Sequence, residues 1–293
     1  MKQIGIGLIG CGFWANQMHL PALQKIIGAR VVAVASASEA HARETASRFG
    51  VPRWYTDYQQ LIENPEVEAV DILAPNYLHA SMAIAAAQAG KQVICIKPLA
   101  TSLAEAERMI EAATRAGVQL LYAENVPFVP ALTQAKALVD AGALGKVFRV
   151  KACEGIGMPH SSWFFDHWQA GGGCIIDMAV HSLAFCRWMA GSEAQSVYAE
   201  AGTFVHEMAD EDTSVLTVRF KNGVIGQAED SWSLAGAMDS RFEIFGTHGR
   251  ILVDNLHRQP LQVVSTAGYP NAWGPVEGGL GWTYPSPLPG DIL

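Results

Sequence analysis

With 293 residues, half of them hydrophobic and only 16% charged, the chain has material for one large or two ordinary domains around a sizeable core, which excludes a disordered protein. Its 20 Lys and Arg against 28 Asp and Glu leave a net charge of −8 without long runs, so no nucleic-acid partner is expected, because that would need clustered basic residues. No apolar run is long enough to span a bilayer, and the five cysteines (Cys11, Cys95, Cys153, Cys174 and Cys186) form no CxxC pair, so a reduced cytoplasmic setting without a membrane partner is expected.

The apolar start does not read as a signal peptide: one charge precedes it, glycines alternate through it, and it opens a βαβ pattern. Ile4 to Ile9 reads as a buried strand, and Gly10-x-Gly12-x-x-Ala15 after it fits the dinucleotide fingerprint. The first glycine permits the tight turn, the second lets backbone approach a pyrophosphate, and the small third residue lets helix pack on strand. Amides at the helix start would hold phosphates, although a tight strand-to-helix turn without any ligand needs the same glycines.

The helix that follows should be interrupted near Pro21, which has no N–H to donate. Val31 to Ala35 is a second strand, and Ser36 stands where an acidic residue would select NAD. A serine there cannot repel a 2′-phosphate, and no arginine follows at once to attract one, so the choice between NAD and NADP stays open. A helix from Glu39 to Phe49 comes next, then a strand at Ala69 to Ala74 ending in Pro75-Asn76, and an alanine-rich helix from Ala80 to Ala89. Val93 to Ile96 is a strand ending in Lys97-Pro98. Ser102 opens a helix to Ala116 with Glu105 at capping-box spacing, and Val118 to Tyr122 is a further strand. Alternating strands and helices imply a parallel sheet covered on both faces, with ligands at the carboxyl ends of its strands. Gly10, Ser36, Asn76, Lys97 and Glu124-Asn125 all stand at such ends.

The pattern changes near residue 124. A helix from Pro130 to Ala141 and a strand from Val147 to Ala152 precede an irregular stretch with His160, Trp163, Phe164, Phe165 and Trp168. These aromatics fit either a sugar-stacking platform or ordinary core. After Gly171-Gly172-Gly173 a long helix is expected over Ile175 to Met189. Strands follow at Val197 to Phe204, Thr213 to Phe220, Val224 to Ser231, Arg241 to Phe245 and Arg250 to Val253, with Asn222-Gly223 as a hairpin turn. The fold class is therefore α/β: an N-terminal Rossmann doubly wound parallel sheet over 1–124, and a C-terminal α+β domain with a largely antiparallel open sheet over 125–293.

Two features bear chemistry. Lys97 lies between Ile96 and Pro98; burial there would favour its neutral form and suit proton transfer, whereas a lysine reaching the sheet rim would have no such role. Asp177 and His181 are four apart on a helix, on one face, where they could relay a hydroxyl proton, ligate a metal, or bond to each other. No third ligand has matching spacing, so no metal site is expected.

Together these residues resemble the Gfo/Idh/MocA family. The resemblance runs over nearly the whole chain. It rests on Gly10-Cys11-Gly12-Phe13-Trp14-Ala15, Ala74-Pro75-Asn76-Tyr77-Leu78-His79, Gly90 to Ala100 with Lys97-Pro98, Gly142 to Val147, and Gly171-Gly172-Gly173 through Asp177 to His181. It implies hydride passing between nicotinamide and a carbinol of a sugar, glycoside or cyclitol. Lys97 and His181 would handle the proton, and Asp177 would orient the hydroxyl. Asn76 and His79 would lie beside the nicotinamide and its ribose. Gly10, Gly12, Phe13, Trp14, Ala15, Ser36, Pro75 and Lys97 complete the expected cofactor contacts, and Asn125, His160 and Trp163 are the expected substrate contacts. The open sheet face commonly forms dimers or tetramers in the family. Two departures stand out. Ile96 replaces the usual glutamate before Lys-Pro, which keeps in view the alternative of a non-catalytic NAD(P)-binding regulator. Members also usually continue past the equivalent of Leu293, so the chain is expected to be either a shortened member or a sequence that stops early; the prolines from Pro285 onward suggest a loop.

Overall fold

The computed structural model describes residues 2–266 and Gly268; the stretch from Pro285 to Leu293 lies outside the described residues. The chain divides into two compact units, Met1–Ala123 with His160–Gly171, and Glu124–Pro159 with Gly172–Leu293. The 160–171 segment thus groups with the first unit, not with the second half of the sequence. The physical reason is aromatic packing: the His160 ring stacks on Phe13, with centroids 5.5 Å apart.

In the first unit, β1 (Ile4–Ile9), β2 (Ala29–Ala35), β3 (Trp54–Tyr55), β4 (Ala69–Ile72), β5 (Gln92–Ile96) and β6 (Leu120–Ala123) pair in parallel in the order β3-β2-β1-β4-β5-β6. The chain winds outward from β1 in both directions, so the order reverses between β1 and β4 and leaves a crevice at their carboxyl ends. Its helices are α1 (Leu20–Leu23), α2 (Glu39–Phe49), α3 (Tyr58–Glu63), α4 (His79–Gln88) and α5 (Leu103–Ala116). The Ser102 hydroxyl accepts the Glu105 amide at 3.3 Å, as a capping box requires, but the Glu105 carboxylate turns to the Thr101 hydroxyl at 2.6 Å. The interruption at Pro21 takes the form of a π turn over Ala15–His19 ahead of α1. His19 in that turn is tied to Asp71 of β4 at 2.8 Å, which anchors the turn to the sheet. The short elements β3 and α3 were not anticipated, since two to six residues are too few to show a period.

In the second unit, α6 (Pro130–Asp140) precedes β7 (Val147–Ile156). The short α7 (His167–Ala170) belongs with the first unit. Then come α8 (Val180–Ala190), β8 (Ala194–Gly202), β9 (Thr213–Phe220), β10 (Ile225–Ser231), β11 (Met238–Gly246), β12 (Gly249–Asp254) and β13 (Leu261–Ser265). The seven strands run β13-β12-β11-β7-β10-β9-β8, antiparallel throughout except for the parallel pair β7–β10. One face carries Val150, Ala152, Val218, Phe242 and Ile244 into a core with Leu132 and Leu138 of α6 and Phe185 and Met189 of α8. The other face is open, and β8 is exposed along nearly its whole length. Strand β13 had not been expected, although buried Leu261, Val263 and Ser265 alternate with the half-buried Gln262 and Val264 at the period of a strand.

Candidate active site

The glycine turn is built for backbone approach. Gly10 has φ +102°, and a Cβ there would stand 2.5 Å from the Leu73 carbonyl oxygen, so both conformation and space demand glycine. At Gly12 a Cβ would meet nothing within 4 Å, which leaves open room where the fingerprint places a pyrophosphate. Ala15 is fully buried against the sheet. Asn16, which sequence reasoning passed over, latches the turn: its amide donates to the carbonyls of Cys11 at 3.0 Å and Gly12 at 2.9 Å. These residues fit a dinucleotide. Phe13 and Trp14 stand exposed at the turn, in T-shaped contact with each other. His160 joins them and meets Phe164 at 5.1 Å, and Trp163 stacks on Phe164 at 3.8 Å. Phe164 is core, whereas Trp168 is 85% exposed. The fold thus brings two expected cofactor contacts and two expected substrate contacts into one aromatic cluster.

Ser36 follows β2, and its hydroxyl accepts the Ser38 amide at 3.3 Å. Beyond β4, Pro75 leads into a 3-10 turn over Asn76–Leu78. The resemblance implies that Asn76 and His79 lie beside the nicotinamide; in the structure both side chains hold the protein's own backbone. The buried Asn76 amide donates to the Ala170 carbonyl at 2.8 Å. His79 is fully buried, with Nδ1 2.8 Å from the Pro98 carbonyl oxygen and Nε2 2.8 Å from that of Ala74. Burial pushes its pKa down, and the nearby Lys97 charge acts the same way against the two carbonyls, which favour the cation. His79 therefore ties the end of β4 to the turn after β5. Lys97 itself is half-buried, directly after the last residue of β5.

In the second unit the expected helix from Ile175 begins as a π turn, Ile175–Ala179, before α8. Such turns redirect side chains within a helix. The chain enters it past Gly173, where a Cβ would stand 2.0 Å from the Glu211 carbonyl oxygen; the close approach is made by the protein's own chain. Asp177 is 4% exposed and accepts the indole N–H of Trp232 at 2.9 Å. His181, on the first turn of α8, has Nδ1 2.5 Å from Oε1 of the buried Glu124. Neither Trp232 nor Glu124 had been assigned a role from the sequence. Glu124 had registered only as a strand end, and Trp232 gave no signal. Asn125 is exposed at the head of the 3-10 turn Val126–Phe128.

Register places a polar row beside this pair. Ser214, Asp230, Glu154 and Ser240 are cross-strand neighbours on β9, β10, β7 and β11, and all four are buried. The next rows inward are apolar: Leu216, Ala228, Ala152 and Phe242, then Val218, Gly226, Val150 and Ile244. Burial pushes the Glu154 carboxyl up to about 8, with the charges of Asp230, Asp239 and Glu124 adding to it and the Ser240 hydroxyl opposing. Burial likewise raises Asp230 to about 7, against a 2.6 Å hydrogen bond from Ser182. Among the described residues no group of three or more His, Cys, Asp or Glu is arranged to hold a metal ion.

A doubly wound sheet with an open glycine turn, carried on one chain with a fixed Asp–His helix, defines the class: a nicotinamide-dependent oxidoreductase. Comparison with known proteins narrows it. A family model described as an oxidoreductase family with an NAD-binding Rossmann fold matches residues 4–124, and the GFO/IDH/MocA C-terminal domain model matches residues 132–252. Myo-inositol 2-dehydrogenase of Thermotoga maritima is 33% identical over 269 residues, covering 90% of this chain and 79% of that protein. Levoglucosan dehydrogenase of Pseudarthrobacter phenanthrenivorans is 32% identical over 306 residues, covering 90% and 76%. A solved structure of levoglucosan dehydrogenase in complex with NADH matches with a TM-score of 0.85 at 29% identity, covering 98% of this chain and 81% of that one. The chain belongs to the GFO/IDH/MocA oxidoreductase family and is an NAD(P)-dependent oxidoreductase.

Proposed function

We propose that the protein oxidises a secondary alcohol of a sugar, glycoside or cyclitol to a ketone, or reduces the ketone in reverse, with NAD or NADP. The observation that carries this reading is that Asp177 and His181 are each preset by a buried partner on successive turns of one helix. Oxidation of a carbinol releases a hydride from carbon and a proton from oxygen. Bound nicotinamide supplies the hydride acceptor. Lys97 and His181 exchange the hydroxyl proton, and Asp177 accepts a hydrogen bond that orients the hydroxyl. The aromatic faces of Trp163 and His160, with Asn125, contact the ring of the substrate. The names of the relatives, an inositol dehydrogenase and an anhydrosugar dehydrogenase, support a polyhydroxylated ring.

The proposal extends to a cytoplasmic homodimer or homotetramer. All five cysteines are free and buried, in keeping with a reducing compartment. Val197, Tyr198 and Val215 are exposed on β8 and β9, which suits a contact between copies. No helix among the described residues is long and apolar enough to cross a membrane.

The test is a panel of sugars, anhydrosugars and inositols offered to purified protein with each cofactor, following nicotinamide absorbance. Turnover of a ring alcohol is the expected result. Tight nicotinamide binding with no turnover on any panel member would overturn the reading.

A further inference from the structure

We infer that Glu124 is a positioning residue for His181: its carboxylate fixes the imidazole as the Nδ1–H tautomer, so that Nε2 is the nitrogen that exchanges the substrate proton. This deepens the reading above and rests on it.

The geometry leaves Glu124 one arrangement. Oε1 lies 2.5 Å from His181 Nδ1, and Oε2 accepts the Val126 amide at 3.1 Å. With both oxygens engaged and the side chain 6% exposed, the carboxylate is pinned at the base of the 3-10 turn. An ionised carboxylate only accepts, so the short contact requires the proton on Nδ1. When Nε2 takes a proton, the imidazolium forms with the Glu124 charge directly behind it. Nothing in the local sequence announces this pair, since 57 residues separate its members.

The groups packed around the pair reinforce the arrangement. On the preceding turn stands Asp177, tied to Trp232. From β7 comes Glu154, whose carboxyl is pushed up to about 8 in part by the Glu124 charge. From β10 comes Asp230, raised to about 7 and hydrogen-bonded by Ser182, the residue next to His181. Lys151 and Glu229 lie on the alternate positions of those strands and pair with each other at 2.6 Å. Glu154 and Asp230 thus hold their protons to higher pH than ordinary carboxyls, and the carboxylate in contact with His181 is that of Glu124.

The test uses the full chain, its Glu124→Gln and Glu124→Asp variants, and His181→Asn to assign the His181 ring signals by nitrogen NMR. Gln keeps the shape and an acceptor for the Val126 amide but carries no charge. In the wild type the Nδ1–H tautomer should dominate, and the titration midpoint of the His181 ring is the reference for the variants. Glu124→Gln should lower that midpoint by about one pH unit or more and abolish the tautomer bias, and Glu124→Asp should recover part of both. On any panel substrate that turns over, Glu124→Gln should lower kcat by roughly 10²–10⁴-fold and shift the acid limb of the pH profile, with KM within about threefold. An unchanged tautomer and midpoint in Glu124→Gln overturns the inference, whether or not the enzyme turns over. A shifted midpoint in a protein inactive on the whole panel upholds the Glu124–His181 relationship and counts against the proposed function instead.

Discussion

The Trp232 indole donates to the Asp177 carboxylate across 2.9 Å, and neither residue is more than 4% exposed. A carboxylate taken out of water needs hydrogen bonds to replace the lost hydration, and the indole N–H is a donor that cannot rotate away. Trp232→Phe keeps one aromatic ring, removes that donor and leaves a small cavity where the second ring lay. We expect a loss of about 1.5–3 kcal/mol in unfolding free energy, the range for hydrogen bonds to charged groups, read as a lower Tm. With a turnover substrate, kcat/KM should fall as well, because Asp177 loses part of its orientation.

Asn16→Ala tests the latch on the glycine turn. The lost amide leaves the carbonyls of Cys11 and Gly12 without their side-chain donor. The turn should loosen and the Kd for NAD(H) rise about tenfold, which corresponds to about 1.4 kcal/mol. Calorimetry or fluorescence titration measures this. An unchanged Kd would mean the backbone alone sets the turn.

Lys97→Met keeps the length of the side chain and removes its charge and its exchangeable proton. We expect kcat/KM to fall by roughly 10²–10⁴-fold, the usual worth of a positioned acid or base, with NAD(H) affinity within about threefold. Full activity in this variant would remove Lys97 from the proton-handling set.

Glu154 makes stability depend on pH. Its carboxyl is raised from 4.5 to about 8 in the folded chain, so between those values the unfolded chain has given up the proton and the folded chain still holds it. Its contribution is therefore fully present below 4.5 and is lost as pH rises through about 8. Glu154→Gln does not titrate. It should exceed the wild type near pH 9 by on the order of 1–3 kcal/mol and match it within about 0.5 kcal/mol near pH 4. Thermal melts across that range give the result, and a constant offset between the two proteins would refute the raised carboxyl.

Much of the site was legible because its features are local. The alternation of Val, Ile and Ala runs with helical stretches announces a parallel sheet, and Gly10-x-Gly12-x-x-Ala15 announces the turn, since each follows from a backbone period or a single φ angle. Lys97 and Ser36 were placed at strand ends correctly because a strand end is set by its own few residues. The environment of Lys97 stayed open between a buried and a rim position, because apolar neighbours in sequence say little about exposure at the end of a strand. Asp177 and His181 were read as one helical face at regular spacing, and the π turn over Ile175–Ala179 lies just there.

The sequence by itself determined the two sheets, the glycine turn and the identity of the residues that bear chemistry, because short-range sterics and hydrophobic period write these into neighbouring positions. Only the tertiary structure decided what those residues touch. His79 became a tie between two backbone carbonyls, His181 met Glu124, and Asp177 met Trp232 across 55 residues of chain. Such pairings depend on which strands lie side by side and at what register, and burial then fixes them, because a polar group removed from water must find its partner within the fold.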